Sequence, residues 1–189
     1  MMEIVTVNYN TPDLLLRLIK SIRKFSDVPI RVIDGSTTEF KIPAIDVCIA
    51  ADVDIECFNY NIHHGRGLDY ALETSRYNHV LCVDSEVQLL KGIMECFKAD
   101  KPLEGLPCMV DSNGMNNPIG GILYLHPELL MVDVKWYRNQ EFKFIHHGAP
   151  AIQLMAETGN EQKRCLPETA RNYYIRGGRG TVERFGYNF

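Results

Sequence analysis

No apolar run in the chain reaches the roughly 18 residues that a bilayer-spanning helix needs. The opening Met1-Met2-Glu3-Ile4-Val5-Thr6-Val7 has no basic segment followed by an apolar one. No secretion signal is therefore expected, and a cytoplasmic setting is. Excess positive charge is missing too: 20 Lys and Arg stand against 24 Asp and Glu, a formal net charge of −4. That balance argues against general nucleic-acid binding, which needs a strong positive field. None of the six cysteines (Cys48, Cys57, Cys82, Cys96, Cys108, Cys165) stands in C-x-x-C spacing with another. A zinc site or redox pair is thus disfavoured. Cys48 and Cys82 lie in apolar runs, where a thiol behaves as a small hydrophobe, so reduced thiols are expected. Repeats, low-complexity tracts and linkers are absent.

What remains is an ordinary globular composition over 189 residues, 46% of them hydrophobic. A chain of this length buries roughly 70% of its unfolded surface, enough to fold as one domain without a disulfide or a metal.

The first half alternates strand and helix patterns. Ile4 to Val7 is a short β-branched run that breaks at Asn8-Tyr9-Asn10. Thr11-Pro12 opens a helix, since proline suits a first turn that needs no amide donor. Leu15, Leu18, Ile19, Ile22 and Phe25 give that helix one apolar face. Strands are expected at Pro29–Ile33, Val47–Ile49, Ile55–Phe58 and His79–Val83, with a helix over Leu68–Arg76. The His79–Val83 run is apolar at nearly every position, as a strand covered on both faces should be. A further helix is expected to turn Leu89, Leu90, Ile93, Met94 and Phe97 inward. In the second half a strand is expected at Gly120–Leu125, a helical turn from His126-Pro127-Glu128, a strand at Phe142–Ile145 and a helix at Pro150–Glu157. This order implies an α/β fold, a mostly parallel central sheet flanked by helices. Ligands in such sheets sit outside the carboxyl ends of the strands. Asn8-Tyr9-Asn10, Asp34-Gly35-Ser36 and Asp84-Ser85-Glu86 all fall at those ends.

With these motifs in this order, the chain resembles family-2-type glycosyltransferases of the GT-A (Rossmann-like) fold. The likeness is carried by Val5–Thr11 and its following helix, Val32–Ser36, Gly65–Asp69, Val80–Val87 and Gly120–Leu123. The resemblance implies a single compact domain over 1–189. Residues 1–100 would bind a nucleotide sugar, UDP-linked, and 101–189 would serve the acceptor and closure. It implies transfer of a sugar to the hydroxyl of a saccharide or other acceptor, with Mn2+ or Mg2+ as cofactor.

Residue by residue, Asp84-Ser85-Glu86 resembles the family's D-x-D element, with Asp84 and Glu86 as metal ligands and Ser85 beside the donor. Glutamate replaces the second aspartate, one methylene longer. A strand end that caps the next helix is the bland alternative. Asp34 resembles the carboxylate that accepts the imide N–H of uracil; an Asp-Gly turn with Gly35 explains it equally simply. Val7, Asn8 and Tyr9 resemble the segment along which the base lies, Tyr9 otherwise being a half-buried aromatic. Arg66 and Gly67 belong to a loop that would approach phosphate or base, or that needs positive φ at its glycines. His63 and His64 offer metal-ligand chemistry, but adjacent histidines in a loop are more often solvated. Arg176 and Arg179, in a tail with a local charge of 6 − 3 = +3 over Glu161–Phe189, would meet the diphosphate, or simply face water.

No acid stands where inverting relatives place the catalytic base, and His147 or His146 takes that position by default. Glu141 and Asp111 are remoter candidates. The gap equally fits a retaining mechanism or a non-catalytic nucleotide-sugar-binding module. A nucleotidyltransferase would carry a Gly-rich, Lys- or Arg-bearing loop after the first strand, and Asn8-Tyr9-Asn10-Thr11 is no such loop.

Overall fold

The computed structural model describes residues 1–144 and 149–176. Strand β1 (Met2–Asn8) leads to helix α1 (Pro12–Arg23), then β2 (Ile30–Asp34), α2 (Thr38–Ala50), β3 (Asp54–Cys57), α3 (His64–Thr74) and β4 (His79–Val83). A short β5 (Val87–Leu89) follows, then β6 (Leu103–Val110), β7 (Ile122–Asp133), α4 (Val134–Arg138), α5 (Ile152–Glu157), β8 (Lys163–Cys165) and β9 (Tyr174–Arg176). Seven strands form one sheet in the order β3-β2-β1-β4-β7-β6-β8, while β5 and β9 pair separately. Within the large sheet only β7 runs against its neighbours. The expected mostly parallel α/β architecture is therefore present.

Strand geometry splits the buried residues into two cores, because successive side chains point to opposite faces. Ile4, Val32, Leu81 and Val83 pack with Leu15, Leu18, Ile19 and Ile22 of α1 and with Ala44 and Cys48 of α2. Val5, Ile33, Val80 and Cys82 pack with Leu68, Ala71 and Leu72 of α3 and with Ile152, Leu154 and Met155 of α5. Covered on both sides, β1, β2 and β4 are held rigidly enough to fix whatever their ends carry. All six cysteines are unbridged, and burial pushes the Cys48 thiol up to about 12.

Several expectations are corrected. Val47–Ile49 is not a strand but the end of α2, where Cys48 is buried and Ile49 is 72% exposed. Pro43 inside that helix cannot bond the Glu39 carbonyl, and so hides the helical pattern. The helix expected through Leu89 and Phe97 is instead β5 followed by a 3-10 turn at Ile93–Cys96. Gly92, at φ +98°, breaks the chain between them. His126-Pro127-Glu128 starts no helical turn; it lies within β7. Phe142–Phe144 forms no strand, Ile145 lies outside the described residues, and α5 begins at Ile152 rather than Pro150. β6 was missed, its alternation broken by Gly105 and Pro107.

Gly65 and Gly67 do not supply positive φ; that conformation falls on His63, at φ 61°. A Cβ on Gly67 would instead meet Val7 Cγ2 at 2.8 Å and Cγ1 at 2.9 Å. Gly67 lets α3 lie against β1. Gly67→Ala gains helix propensity but overpacks a stiff β-branched neighbour, and is expected to lose about 1–2 kcal/mol net in urea unfolding. Adding Val7→Ala should recover part of that loss; no recovery would place the strain elsewhere.

Candidate functional site

The carboxyl ends of β1 and β2 are tied together by side chains. Asn8 Nδ2 donates to Asp34 Oδ1 at 2.7 Å, and Ser36 Oγ donates to the same oxygen at 2.7 Å. Ser36 N–H donates to Asp34 Oδ2 at 3.2 Å. Thr11 Oγ1 in turn donates to Asn8 Oδ1, and Asn10 Oδ1 accepts from the Thr37 N–H. Asn8 and Asp34 are both fully buried. The Asp34 carboxylate thus organises the loops after β1 and β2, with three of its acceptor positions filled from within the chain. Gly35 is buried beneath it, donating to the Asn8 carbonyl at 3.1 Å.

A second group forms where β4 ends. Asp84 follows Val83, which pairs with Leu129 of the antiparallel β7, and the Asp84 N–H donates to the Glu128 carbonyl at 3.2 Å. Between Gly105↔Leu130 and Pro107↔Leu125, β6 advances two residues and β7 five. The extra residues form a bulge at 126–129. Pro127, which cannot donate to a ladder, is tolerated there. The bulge turns His126 and Glu128 toward Asp84: one ligand-capable atom from each lies within 4.8 Å of the other two.

The contacts within this group are specific. Glu128 N–H donates to His126 Nδ1 at 3.1 Å, which puts the proton of a neutral ring on Nε2. His126 Nδ1 is 3.8 Å from Glu128 Oε2. His64, the first residue of α3, brings Nε2 to 3.4 Å from Asp84 Oδ1, so it is not merely solvated. Asp84 Oδ1 and Glu128 Oε2 are buried, and neither makes a hydrogen bond. Two hard oxygens and an imidazole in this arrangement are a donor set that suits a divalent cation.

The short β5–β9 ribbon closes one side of the group. Val87 pairs with Arg176 and Leu89 with Tyr174. Arg176 Nη1 lies 3.3 Å from Glu128 Oε2, and its Nε lies 3.9 Å from Glu86 Oε1. Tyr174 OH donates to Glu128 Oε1 at 3.3 Å, and burial, then the Glu128 charge, raises the phenol.

The remaining candidates sort by position. Val7 and Tyr9 are half-buried at the end of β1, Ser85 half-buried beside Asp84, and Gly67 buried. Arg66 is exposed on the first turn of α3. Among the described residues, Glu86 is not part of the three-residue cluster with Asp84. Glu141 is exposed, and Asp111 Oδ1 accepts from Asn113 and Met115 within its own loop. His146, His147 and Arg179 lie outside the described residues. Sequence reasoning missed His126 and Glu128. The available signal was a His and a Glu two residues apart around a proline, which on an extended segment share a face.

No family model and no curated protein matches the chain. Solved structures do. A mannosyltransferase from Pyrobaculum calidifontis, in complex with GDP-Man and Mn2+, aligns over 88% of this chain with TM-score 0.65 and 12% identity. The chain spans 55% of that protein's length. Glucosyl-3-phosphoglycerate synthase from Mycobacterium tuberculosis, in complex with Mn2+, UDP and glucosyl-3-phosphoglycerate, aligns over 98% of this chain and 77% of its own, with TM-score 0.61 and 13% identity. A 4-diphosphocytidyl-2C-methyl-D-erythritol synthase from Anaerococcus prevotii aligns over 98% and 94%, with TM-score 0.61 and 9% identity. At these identities the likeness is one of fold, and the fold is GT-A.

Asp34→Ala leaves Asn8 Nδ2 and Ser36 Oγ short of a buried acceptor. It is expected to cost about 1–3 kcal/mol in urea unfolding. An unchanged midpoint would show that the carboxylate does not hold the two loops.

Proposed function

We propose that the chain is a glycosyltransferase that moves a sugar from a nucleotide sugar, UDP-linked, to an acceptor hydroxyl with the help of Mn2+ or Mg2+. The observation that carries this reading is the meeting of Asp84, His126 and Glu128 at the carboxyl end of β4. Two of the three carry buried oxygens without a hydrogen bond. It supports a place for a cation beside a diphosphate, on the sheet edge where such folds take their ligands.

In this reading residues 1–100 take the donor and residues 101–189 serve the acceptor. The nucleotide lies across the ends of β1 and β2, where Asn8, Asp34 and Ser36 fix the loops that border it. The exposed Arg66 offers a guanidinium to phosphate oxygens from the first turn of α3. Asp84 and its neighbours hold the cation, which offsets charge building on the departing nucleotide. Deprotonation of the acceptor hydroxyl is assigned to His147 or His146, imidazole being the side chain suited to a general base near neutral pH.

The setting is read as cytoplasmic; among the described residues no helix is long and apolar enough to cross a membrane. Donor binding without transfer is the competing reading, and the lack of an acid at the family's base position favours it. A nucleotidyltransferase is disfavoured by the β1–α1 loop. That loop carries Asn8, Asn10 and Thr11 bonded to one another or to the β2 loop, with no lysine or arginine among them.

The test is nucleotide release from a panel of nucleotide sugars, each with a panel of hydroxyl acceptors and Mn2+ or Mg2+. Release should vanish in EDTA, and Asp84→Ala should lower it by roughly a hundredfold or more. Release that persists undiminished in EDTA contradicts metal assistance. Donor binding with no release under any acceptor supports the binding module instead.

A further inference from the structure

The carboxylates around β4, β5 and β7 outnumber the guanidinium beside them. Asp84, Glu86 and Glu128 bring three negative charges, and Arg176 brings one positive charge to Glu86 and Glu128. Among the described residues, and with His64 beside Asp84 taken as neutral, the remainder, 3 − 1, is two negative charges, and Glu128 among them is 6% exposed. Buried charge without a counter-charge is costly, and a remainder of two matches a dication. Glu128 Oε2 and Asp84 Oδ1, both buried and both without a hydrogen bond, are the oxygens left for it.

Resting on the reading of this place as a metal-assisted donor site, we infer that the cation is held by Asp84, His126 and Glu128 rather than by Asp84 with Glu86. We infer also that Arg176 competes with it for Glu128. Glu86 Oε1 lies 3.9 Å from Arg176 Nε, a second carboxylate against that guanidinium. The oxygen that Arg176 Nη1 approaches, Glu128 Oε2, is the one 3.8 Å from His126 Nδ1. A cation held by Glu128 and His126 would therefore meet the positive charge of Arg176, and would be bound fully only once that charge moves off. Arg176 can move, since its side chain is 44% exposed. Its guanidinium is then available for the oxygens of a phosphate, which it matches with paired donors. The imidazole also bears on the choice of ion, since Mg2+ is bound through oxygen and gives up its waters reluctantly.

Mn2+ titration of the full chain without donor, read by the electron paramagnetic resonance of free Mn2+, tests this directly. His126→Gln and Glu128→Gln should each weaken Mn2+ by at least roughly tenfold, the lower end of what outer partners of a metal contribute. Glu86→Gln should change affinity by less than about threefold, and Arg176→Gln should tighten it about three- to fivefold, the scale of a half-exposed ion pair. Competing Mg2+ should displace Mn2+ only weakly. If Glu128→Gln fails to fold, His126→Gln carries the test, its side chain being 41% exposed. Weakening by Glu86→Gln, with His126→Gln left intact, overturns the ligand set. Unchanged or weaker binding in Arg176→Gln overturns the competition. No sugar transfer is read in this titration, so failure of the ligand set and failure of transfer are told apart: Mn2+ bound through other residues leaves transfer itself to be tested by nucleotide release, and an absence of transfer leaves the ligand set standing.

Discussion

The site depends on the antiparallel pairing of β7 with β4, because that pairing joins two stretches of chain that are far apart in sequence. Val83 lies opposite Leu129, and the Asp84 N–H reaches the Glu128 carbonyl. A regular ladder would have carried His126 and Glu128 along the sheet at strand spacing. The bulge opposite Gly105 and Pro107 interrupts it and sets both side chains beside Asp84. Bulges next to active sites commonly redirect side chains in this way. Both flanking cores hold the pairing still: Leu129 and Met131 pack on the α1 and α2 side, Leu130 and Val132 on the α3 and α5 side. Rigid strands and an irregular strand end are the combination that a preorganised charged site requires.

Legibility in the sequence followed how local the determining contacts are. β1, β2 and β4 announced themselves through β-branched and apolar runs, and α1 through its spacing and Pro12, since neighbours in sequence decide these elements. Asp34 and Asp84 were placed at strand ends by the same local logic. β6 and β7 were harder, because their pattern is written against each other: Gly105, Pro107 and Pro127 break each strand's own alternation while the pair remains joined. His126-Pro127-Glu128 therefore looked like a turn. Glu86 looked like a ligand because alternate residues share a face on an extended segment. Its Oε1 lies 3.9 Å from Nε of Arg176, on a strand whose residues pair with β5 partners 85 to 89 positions earlier in the chain, a contact that no local pattern announces. The glycines of α3 show the same limit from another side, since the need for Gly67 comes from Val7 and not from its own φ.

The fold alone accommodates both glycosyl and nucleotidyl transfer, as the solved structures that resemble this chain include both. The balance between them comes from side chains. The loop after β1 is knitted into the β2 loop by Asn8, Asn10, Ser36 and Thr37 and carries no cation, while negative charge gathers at the end of β4. A mild overall acidity of −4 thus conceals a local design: acids collected at one strand end, with Arg176 held against them. In the proposed function, that strand end is where a diphosphate and a cation meet.

The most direct measurement is a crystal structure of the protein grown with Mn2+ and UDP, with anomalous scattering recorded at the manganese edge. An anomalous peak is expected between Asp84 and Glu128, with the diphosphate beside it and the nucleoside across the ends of β1 and β2. A diphosphate bound away from those strand ends, or manganese bound with no contact to Asp84, would contradict it.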